Sequence, residues 1–401
     1  MKSNIFAVFG SVFAGLFVFI ISTYNLQDFN SEDIGLGINT QSKSGYRDSR
    51  LISSNVMEDV NEIVDNFRYY KNNNKYHTAL LLGASQLHAI NALQESDLLA
   101  VEVANSRAFE NSDSLVYFQL SKPNANFHDV LGMYLAFTLE NNEHPDYLVL
   151  PFVYDDLRET GMQNDVIKHL PNNIQEILPF ESEGTNQIIS LANLENNAVS
   201  IGTDDPVKDI TMSNSPQDAV EKYIIRSLEG FSKSYEKRGN LQSWIEFQMK
   251  YYFRKTKIGI KRIYLASTNK HYMPIEHIQD KISHWNIKAF ISLLKITNFN
   301  GVKVFVYRQP HRPDKPEYFM HNRKEYDRYF AYISELCIEN CQVIGDFELL
   351  VPSEYYGLNI DGFPDPFHFQ GIGHKLLGEK IHTSLKAQIQ LSSINRHVVS
   401  R

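Results

Sequence analysis

The chain has 401 residues, of which 43% are hydrophobic and 12% aromatic, so it can form one large core or two smaller ones. Its net charge of −8 and its pI near 6.0 provide no basic surface of the kind that nucleic-acid-binding proteins carry. These values favour one elaborated domain and argue against nucleic acid as a partner.

The first feature in chain order is an apolar run, Ile5 to Ser22, without a charged residue. Its 18 residues reach the lower limit for a helix that crosses a bilayer, and no clear small-x-small cleavage site follows. We therefore predict an uncleaved membrane anchor at 1–26, with a cleavable signal peptide as the alternative. Lys2 precedes the run and acidic residues follow it, which favours a cytoplasmic amino terminus and a body outside the cytoplasmic membrane, in the periplasm or at the cell surface.

After the anchor, residues 27–54 are polar and contain several Gly and Ser residues, which predicts a tether. The rest of the chain, 55–393, alternates between helix-like and strand-like patterns. Apolar residues at helical spacing predict helices at 56–71, 86–96, 126–141, 275–296, 324–339 and 373–390. Apolar runs predict strands at 77–83, 98–104, 146–153, 302–307 and 343–347. This alternation predicts an α/β domain with a central parallel sheet and helices on both faces.

An insertion interrupts this alternation at about 174–256. Its first part, 174–216, is polar, Asn-rich and acidic, and is predicted to be a lid-like excursion. Two helices with aromatic stripes are predicted to follow, at 217–237 and 241–254. Such stripes are more often packing surfaces than ligand sites.

The only cysteines, Cys337 and Cys341, lie near the end of a predicted helix. At this spacing a disulfide would be strained unless the helix ends between them. Two buried thiols are therefore the favoured interpretation, with a disulfide as the alternative. Two ligands alone do not make a zinc site, and no metal is predicted.

Three residues could carry chemistry together. Ser85 follows the predicted strand 77–83, at the carboxyl end where open α/β sheets bind ligands. Asp365 stands three residues before His368, with prolines on either side of it, and such a carboxylate can orient an imidazole as a general base. A base of this kind activates a serine hydroxyl, so the set predicts a serine hydrolase or acyltransferase. Leu87 replaces the last glycine of a Gly-x-Ser-x-Gly elbow, which disfavours the α/β-hydrolase family.

On these residues the chain resembles the SGNH (GDSL-like) hydrolases. The family's Gly-Asp-Ser-type block corresponds to Gly83–Ser85 here, and its Asp-x-x-His block corresponds to Asp365–His368, just before the last predicted helix. The resemblance spans about 76–381. It implies a flavodoxin-like three-layer sandwich, a Ser85–His368–Asp365 triad and no cofactor.

The two middle blocks of the family differ in this chain. The second-block glycine has no clear counterpart, and the third-block asparagine of the oxyanion hole is replaced in the stretch 153–156. The backbone of Ser85 and the side chain of Asn105 are the predicted oxyanion hole. The predicted substrate-binding residues are Arg107, Tyr154, Asp155, Asp156, Arg308 and His311. For the loop that carries Arg308 and His311, a solvated turn is the alternative. His88, which follows Ser85 closely, is predicted to be structural.

Anchored SGNH proteins with long insertions are similar to polysaccharide O-acetylation proteins and to the D-alanyl transfer protein of teichoic-acid modification. This resemblance implies an esterase or acyltransferase that forms an acyl-serine and acts on a cell-surface glycan, beside a membrane-bound O-acyltransferase. The sequence does not separate transferase from esterase. Because the middle blocks are altered, the alternative is an inactive SGNH-like scaffold that binds glycan or the membrane partner.

Overall fold

A computed structural model describes residues 40–73, 75–138, 143–153, 162–170, 174, 182–190, 282–314, 323–358 and 364–399. They belong to one compact unit, formed by 36–197 and 271–401. The predicted anchor at 1–26 and the two helices predicted within 217–254 lie outside the described residues. Among the residues described, no helix is both long and apolar enough to cross a membrane.

The described secondary structure alternates between strands and helices. The strands are β1 (Thr40–Ser42), β2 (Gly45–Arg47), β3 (Arg50–Ser54), β4 (His77–Gly83), β5 (Ala89–Asn91), β6 (Leu115–Ser121), β7 (Tyr147–Phe152), β8 (Lys303–Arg308), β9 (Gln342–Asp346), β10 (Tyr356–Leu358) and β11 (Pro364–Phe369). The helices are α1 (Val60–Lys71), α2 (Ala100–Glu110), α3 (Phe127–Thr138), α4 (Asn164–Lys168), α5 (Ile282–Phe299), α6 (Arg323–Asn340) and α7 (Gly371–Val399). Three short 3-10 helices span Met57–Asp59, Ser85–Leu87 and Ser353–Tyr355. A further short helix occupies 183–190.

Seven strands form the central sheet, in the order β2-β3-β6-β4-β7-β8-β9. The edge strand β2 is antiparallel to β3, and all other neighbours are parallel. If only β4, β6, β7, β8 and β9 are numbered along the chain, their order is 2-1-3-4-5. The prediction of an α/β domain with a central parallel sheet is therefore confirmed.

Helices cover both faces of this sheet, as predicted. Helix α3 packs against α1 and α5, and α5 also contacts α6, whereas α2 and α7 pack against each other. Residues Ala79–Leu82 of the central strand β4 are completely buried, which explains their unbroken apolar sequence. Two smaller antiparallel ribbons, β1 with β5 and β10 with β11, supplement the main sheet.

Two predictions for the segments that follow β4 are wrong. The segment 86–96 is not a helix, because the short 3-10 helix after β4 leads directly into β5, which pairs with β1 from much earlier in the chain. The segment 98–104 is not a strand, because α2 begins at Ala100. There the Glu102 carboxylate accepts a hydrogen bond from the Leu99 N–H at 2.8 Å, one half of a capping box.

One of the two strands beside β4 is β6, which the sequence analysis did not predict. The predicted tether 27–54 is also wrong from residue 40 onward, because β1, β2 and β3 occupy its end. Strand β3 extends the main sheet beside β6. The strands predicted at 77–83, 146–153, 302–307 and 343–347 are confirmed as β4, β7, β8 and β9.

The favoured interpretation of the two cysteines is wrong as well. Cys337 and Cys341 form a disulfide, with their Cα atoms 4.3 Å apart. The pairing is possible because α6 ends at Asn340, so that Cys341 already lies beyond the helix.

Candidate active site

Ser85 lies where the central strand β4 turns into a 3-10 helix at the carboxyl edge of the sheet. The strand ends at Gly83, and a Cβ there would lie 2.6 Å from Cγ of Pro151 on β7. The small residue thus allows β7 to approach closely beside the serine. Ser85 itself is 6% exposed, so its hydroxyl is close to the surface but largely shielded from water.

Asp365 and His368 lie on the short strand β11, which precedes α7 and pairs with β10. The Oγ of Ser85 is 2.9 Å from Nε2 of His368. The Nδ1 of His368 is 3.0 Å from Oδ2 of Asp365. The fold therefore brings the three predicted residues together in one hydrogen-bonded chain, although 283 positions separate the serine from the histidine.

These contacts define where the protons are. A carboxylate only accepts hydrogen bonds, so Nδ1 of His368 carries the proton that is donated to Asp365. The other ring nitrogen, Nε2, then accepts the hydrogen bond that the Ser85 hydroxyl donates. This is the arrangement in which an imidazole can remove the serine proton.

The Asp365 carboxylate is held as an anion by four donors. Its Oδ1 accepts the backbone N–H groups of Phe367 at 2.9 Å and His368 at 3.0 Å. Its Oδ2 accepts the His368 ring and the side-chain amide of Asn91 at 3.2 Å. Burial by itself would raise the pKa of Asp365, but the interactions with His368 and the donated N–H groups outweigh it and lower the pKa.

Two further buried histidines flank the set. Burial, together with repulsion by His368, lowers the pKa of His88 to about 3. Burial also lowers the pKa of His374, to about 4, although its Nε2 donates to the Ala89 carbonyl oxygen at 3.2 Å. Both rings are therefore neutral near pH 7. The Nδ1 of His88 is 2.9 Å from Oγ of Ser121, consistent with its predicted structural role.

In comparisons with known proteins, no family model matches the chain, and no curated protein sequence matches it either.

Asn105 is not part of this site, contrary to the prediction. It lies on α2, where its amide donates to the carbonyl oxygens of Val101 and Tyr117 and accepts the Tyr117 N–H. Tyr117 pairs with Ala79, four residues before the end of β4, which is about 13 Å from the carboxyl edge at about 3.3 Å per residue. The prediction failed because the segment was assigned as a strand.

Arg107 is also placed elsewhere, for the same reason. It lies on the exposed side of α2, where its guanidinium forms ion pairs with Glu110 at 2.6 Å and with Glu379 of α7. It therefore links two helices and does not line the site.

Arg308 and His311 lie at the same edge of the sheet as Ser85 but are occupied by other contacts. The guanidinium of Arg308 is 2.9 Å from Glu348 and 2.9 Å from Asp327, and it stacks on a tyrosine ring. The Nε2 of His311 is 3.1 Å from the same Glu348. Both side chains are buried in this network, so the alternative of a solvated turn is wrong. Their contact with substrate stays a prediction. The predicted residues Tyr154, Asp155 and Asp156 lie outside the described residues.

Sequence reasoning missed Asn91, the amide that contacts Asp365. No motif marks it, because its partner lies 274 positions away. Among the residues that the structure describes, no group of three or more His, Cys, Asp or Glu side chains is arranged to hold a metal ion.

Proposed function

We propose that the protein is an SGNH-like serine esterase or O-acyltransferase that works through an acyl-serine at Ser85. The observation that carries this proposal is the hydrogen-bonded chain from Ser85 through His368 to Asp365, with distances of 2.9 and 3.0 Å. A serine hydroxyl is a poor nucleophile until a positioned base takes its proton, and His368 is placed to be that base.

The strand order supports the same proposal. The order 2-1-3-4-5 is that of flavodoxin-like sheets, which bind ligands at the carboxyl ends of their strands. Ser85 follows the first strand of that set, and the Asp-x-x-His pair precedes the last helix, as in the SGNH pattern.

In the first half-reaction, the Ser85 oxygen attacks the carbonyl carbon of an ester while His368 takes the hydroxyl proton. The resulting oxyanion needs hydrogen-bond donors. The backbone N–H of Ser85 is the donor we assign, since it opens a 3-10 turn in which the first N–H groups have no intrahelical acceptor. Collapse of the intermediate breaks the ester bond, and His368 returns the proton to the leaving alcohol.

In the second half-reaction, His368 takes a proton from water or from a sugar hydroxyl, whose oxygen then attacks the acyl-serine. The Ser85 oxygen leaves with the proton from His368, which restores the starting state. Asp365 stabilises the imidazolium in both halves. Water as acceptor makes the protein an esterase, and a sugar hydroxyl makes it a transferase; neither reaction uses a cofactor.

The biological setting of the proposal is taken from the sequence. The apolar run Ile5–Ser22 supports a membrane anchor with the body outside the cytoplasmic membrane. The resemblance to anchored SGNH proteins supports a cell-surface polysaccharide as acceptor and a membrane-bound O-acyltransferase as the supplier of acyl groups.

A fluorophosphonate probe, which reacts covalently with an activated serine, tests the chemistry on the full-length chain. We expect labelling that is lost in Ser85→Ala. Ser121→Ala is a matched control, because Ser121 is also buried and also bonded to a histidine but has no linked carboxylate. The absence of Ser85-dependent labelling would refute the proposal and favour an inactive scaffold.

The two acyl acceptors are distinguished with a chromogenic acetyl ester. Acetate release that is unaffected by an added oligosaccharide indicates an esterase. Acetyl transfer to the oligosaccharide, at the expense of acetate release, indicates a transferase.

A further inference from the structure

The carboxylate that orients His368 is itself held by a residue from a distant strand. We infer that Asn91, at the end of β5, is a positioning residue that fixes the Asp365 carboxylate for the reaction at Ser85. This inference rests on the proposed function and extends it from three residues to four.

Asn91 is 1% exposed, and its Nδ2 makes two hydrogen bonds. It donates to Oδ2 of Asp365 at 3.2 Å and to the carbonyl oxygen of Leu358 at 3.1 Å. An amide NH2 has two hydrogens, so both are used. Asn91 therefore connects the segment that follows Ser85 with both strands of the β10–β11 ribbon.

The backbone of β10 comes close to this amide. A Cβ added to Gly357, on β10, would lie 1.9 Å from Cγ of Asn91 and 2.4 Å from its Nδ2. The glycine at position 357 thus leaves room for the Asn91 side chain.

The chemistry of the contact suits an amide. The Oδ2 of Asp365 accepts both the His368 ring N–H and the Asn91 amide, so the amide restrains the oxygen on which the imidazole depends. A neutral donor achieves this without adding charge. A carboxyl group in its place could donate to Asp365 only while it keeps its proton, because two buried carboxylates this close cannot both ionise readily.

The pH dependence of labelling can therefore report on position 91. Titratable side chains near this position include Asp365 and His368 on β11, His88 after the Ser85 turn and His374 on α7. The pKa values of His88 and His374 are lowered to about 3 and about 4. Neither changes charge near neutral pH, so neither obscures the titration of a carboxyl group introduced at position 91.

The experiment measures the rate of fluorophosphonate labelling between pH 5 and 9 for the full-length chain and for Asn91→Asp and Asn91→Leu. We expect Asn91→Leu to lower the rate on the order of tenfold at every pH. We expect Asn91→Asp to keep most of the rate at pH 5, where its protonated carboxyl group can donate to Asp365, and to lose it relative to the wild type as the pH rises. Asn66→Ala is the matched control. This amide is also buried and donates to a backbone carbonyl, of Leu51, but it does not contact the site, so its rate should match that of the wild type at every pH.

A ratio of the Asn91→Asp rate to the wild-type rate that stays constant between pH 5 and 9 would overturn the inference, whatever the size of that ratio. A merely structural role would lower the rate or the stability by the same factor at every pH. Wild-type protein that is not labelled at Ser85 would instead refute the proposed function, so the two failures are distinguishable.

Gly357→Ala provides a second test that leaves Asn91 unchanged. The new Cβ has to displace the amide, so labelling should fall on the order of tenfold. In an Asn91→Ala background the three nearest atoms that the new Cβ would meet are gone, so the same substitution should cause little further loss. An equal loss in both backgrounds would overturn the inference.

Discussion

Replacing Asp365 with Asn tests the proposed reaction most directly, because the change preserves shape but exchanges one acceptor oxygen for a donor. In the wild type both carboxylate oxygens accept two hydrogen bonds each. The amide of Asp365→Asn can satisfy only one of these two pairs of donors at a time. The structure indicates which pair it satisfies.

If the new NH2 group occupies the position of Oδ1, it faces the backbone N–H groups of Phe367 and His368, and neither can move its hydrogen. An unsatisfied buried donor costs about 1–3 kcal/mol, so this orientation costs about 2–6 kcal/mol. If the NH2 group occupies the position of Oδ2, it faces Asn91 and the ring of His368. The ring can transfer its proton to the other nitrogen, so only one conflict remains. The second orientation should therefore predominate.

In that orientation Nδ1 of His368 accepts a hydrogen bond and Nε2 carries the proton. The Ser85 hydroxyl, 2.9 Å from Nε2, then has no acceptor for its proton. Loss of the correct tautomer in a serine triad lowers the rate by about 10⁴-fold. We expect the rate of fluorophosphonate labelling of Asp365→Asn to fall by about 10³- to 10⁴-fold, equivalent to about 4–5.5 kcal/mol in the activation barrier.

Asp113→Asn is the matched control. Its carboxylate is 3.1 Å from Nε2 of His382, a second Asp–His pair that does not contact Ser85. This variant should be labelled at the wild-type rate. The reasoning is refuted if folded Asp365→Asn, verified by its thermal transition, is labelled within tenfold of the wild-type rate.

Three further predictions concern stability. His88 and His374 take up protons on unfolding, because their pKa values are lowered in the folded protein. As the pH is lowered from about 6.5 to about 4, the free energy of unfolding should therefore fall by about 1.4 kcal/mol per pH unit for each histidine. Chemical denaturation at several pH values should show half of this pH dependence in His88→Gln. Arg308→Met removes the cation that Asp327, Asp346 and Glu348 share and should lower the free energy of unfolding by about 3 kcal/mol. An unchanged denaturation midpoint would contradict the assigned network. The Cβ of Gly378→Ala would lie 2.3 Å from the carbonyl oxygen of Ala100. Chemical denaturation should show a free energy of unfolding lower by about 1–3 kcal/mol, while the labelling rate of the folded protein stays unchanged.

The parts of the fold that the sequence predicts are those whose environment is uniform. Three of the predicted strands, β4, β7 and β8, are almost entirely buried, and burial on both faces demands a continuous apolar run. Strand β6 was missed although it is also fully buried, because Gln119 interrupts its apolar run. The helix α2 was taken for a strand because Leu98 to Val101, at its start, form a continuous apolar run, whereas the capping contact from Glu102 was overlooked.

Pairing between distant segments accounts for the other errors. Strands β1 and β5 have three residues each, and each is stabilised by the other across about fifty positions of chain. Their own composition, polar for β1 and mixed for β5, gives no strand signal. Strand β3 belongs to the sheet because β6 lies beside it, so a composition typical of a tether was misleading there.

The same distinction separates the predicted and the missed parts of the candidate site. Asp365 and His368 were predictable because their geometry is local: Oδ1 of Asp365 accepts the N–H groups two and three residues ahead, which folds the motif into its own turn. Ser85 was predictable because a parallel sheet fixes where its strands end. Asn91 and Gly357 were not, since the contact between them exists only after β5 and β10 have come together. The single hydrogen bond between Ser85 and His368 therefore depends on how the β10–β11 ribbon is placed against β5, and substitutions at that junction should impair labelling while leaving the main sheet intact.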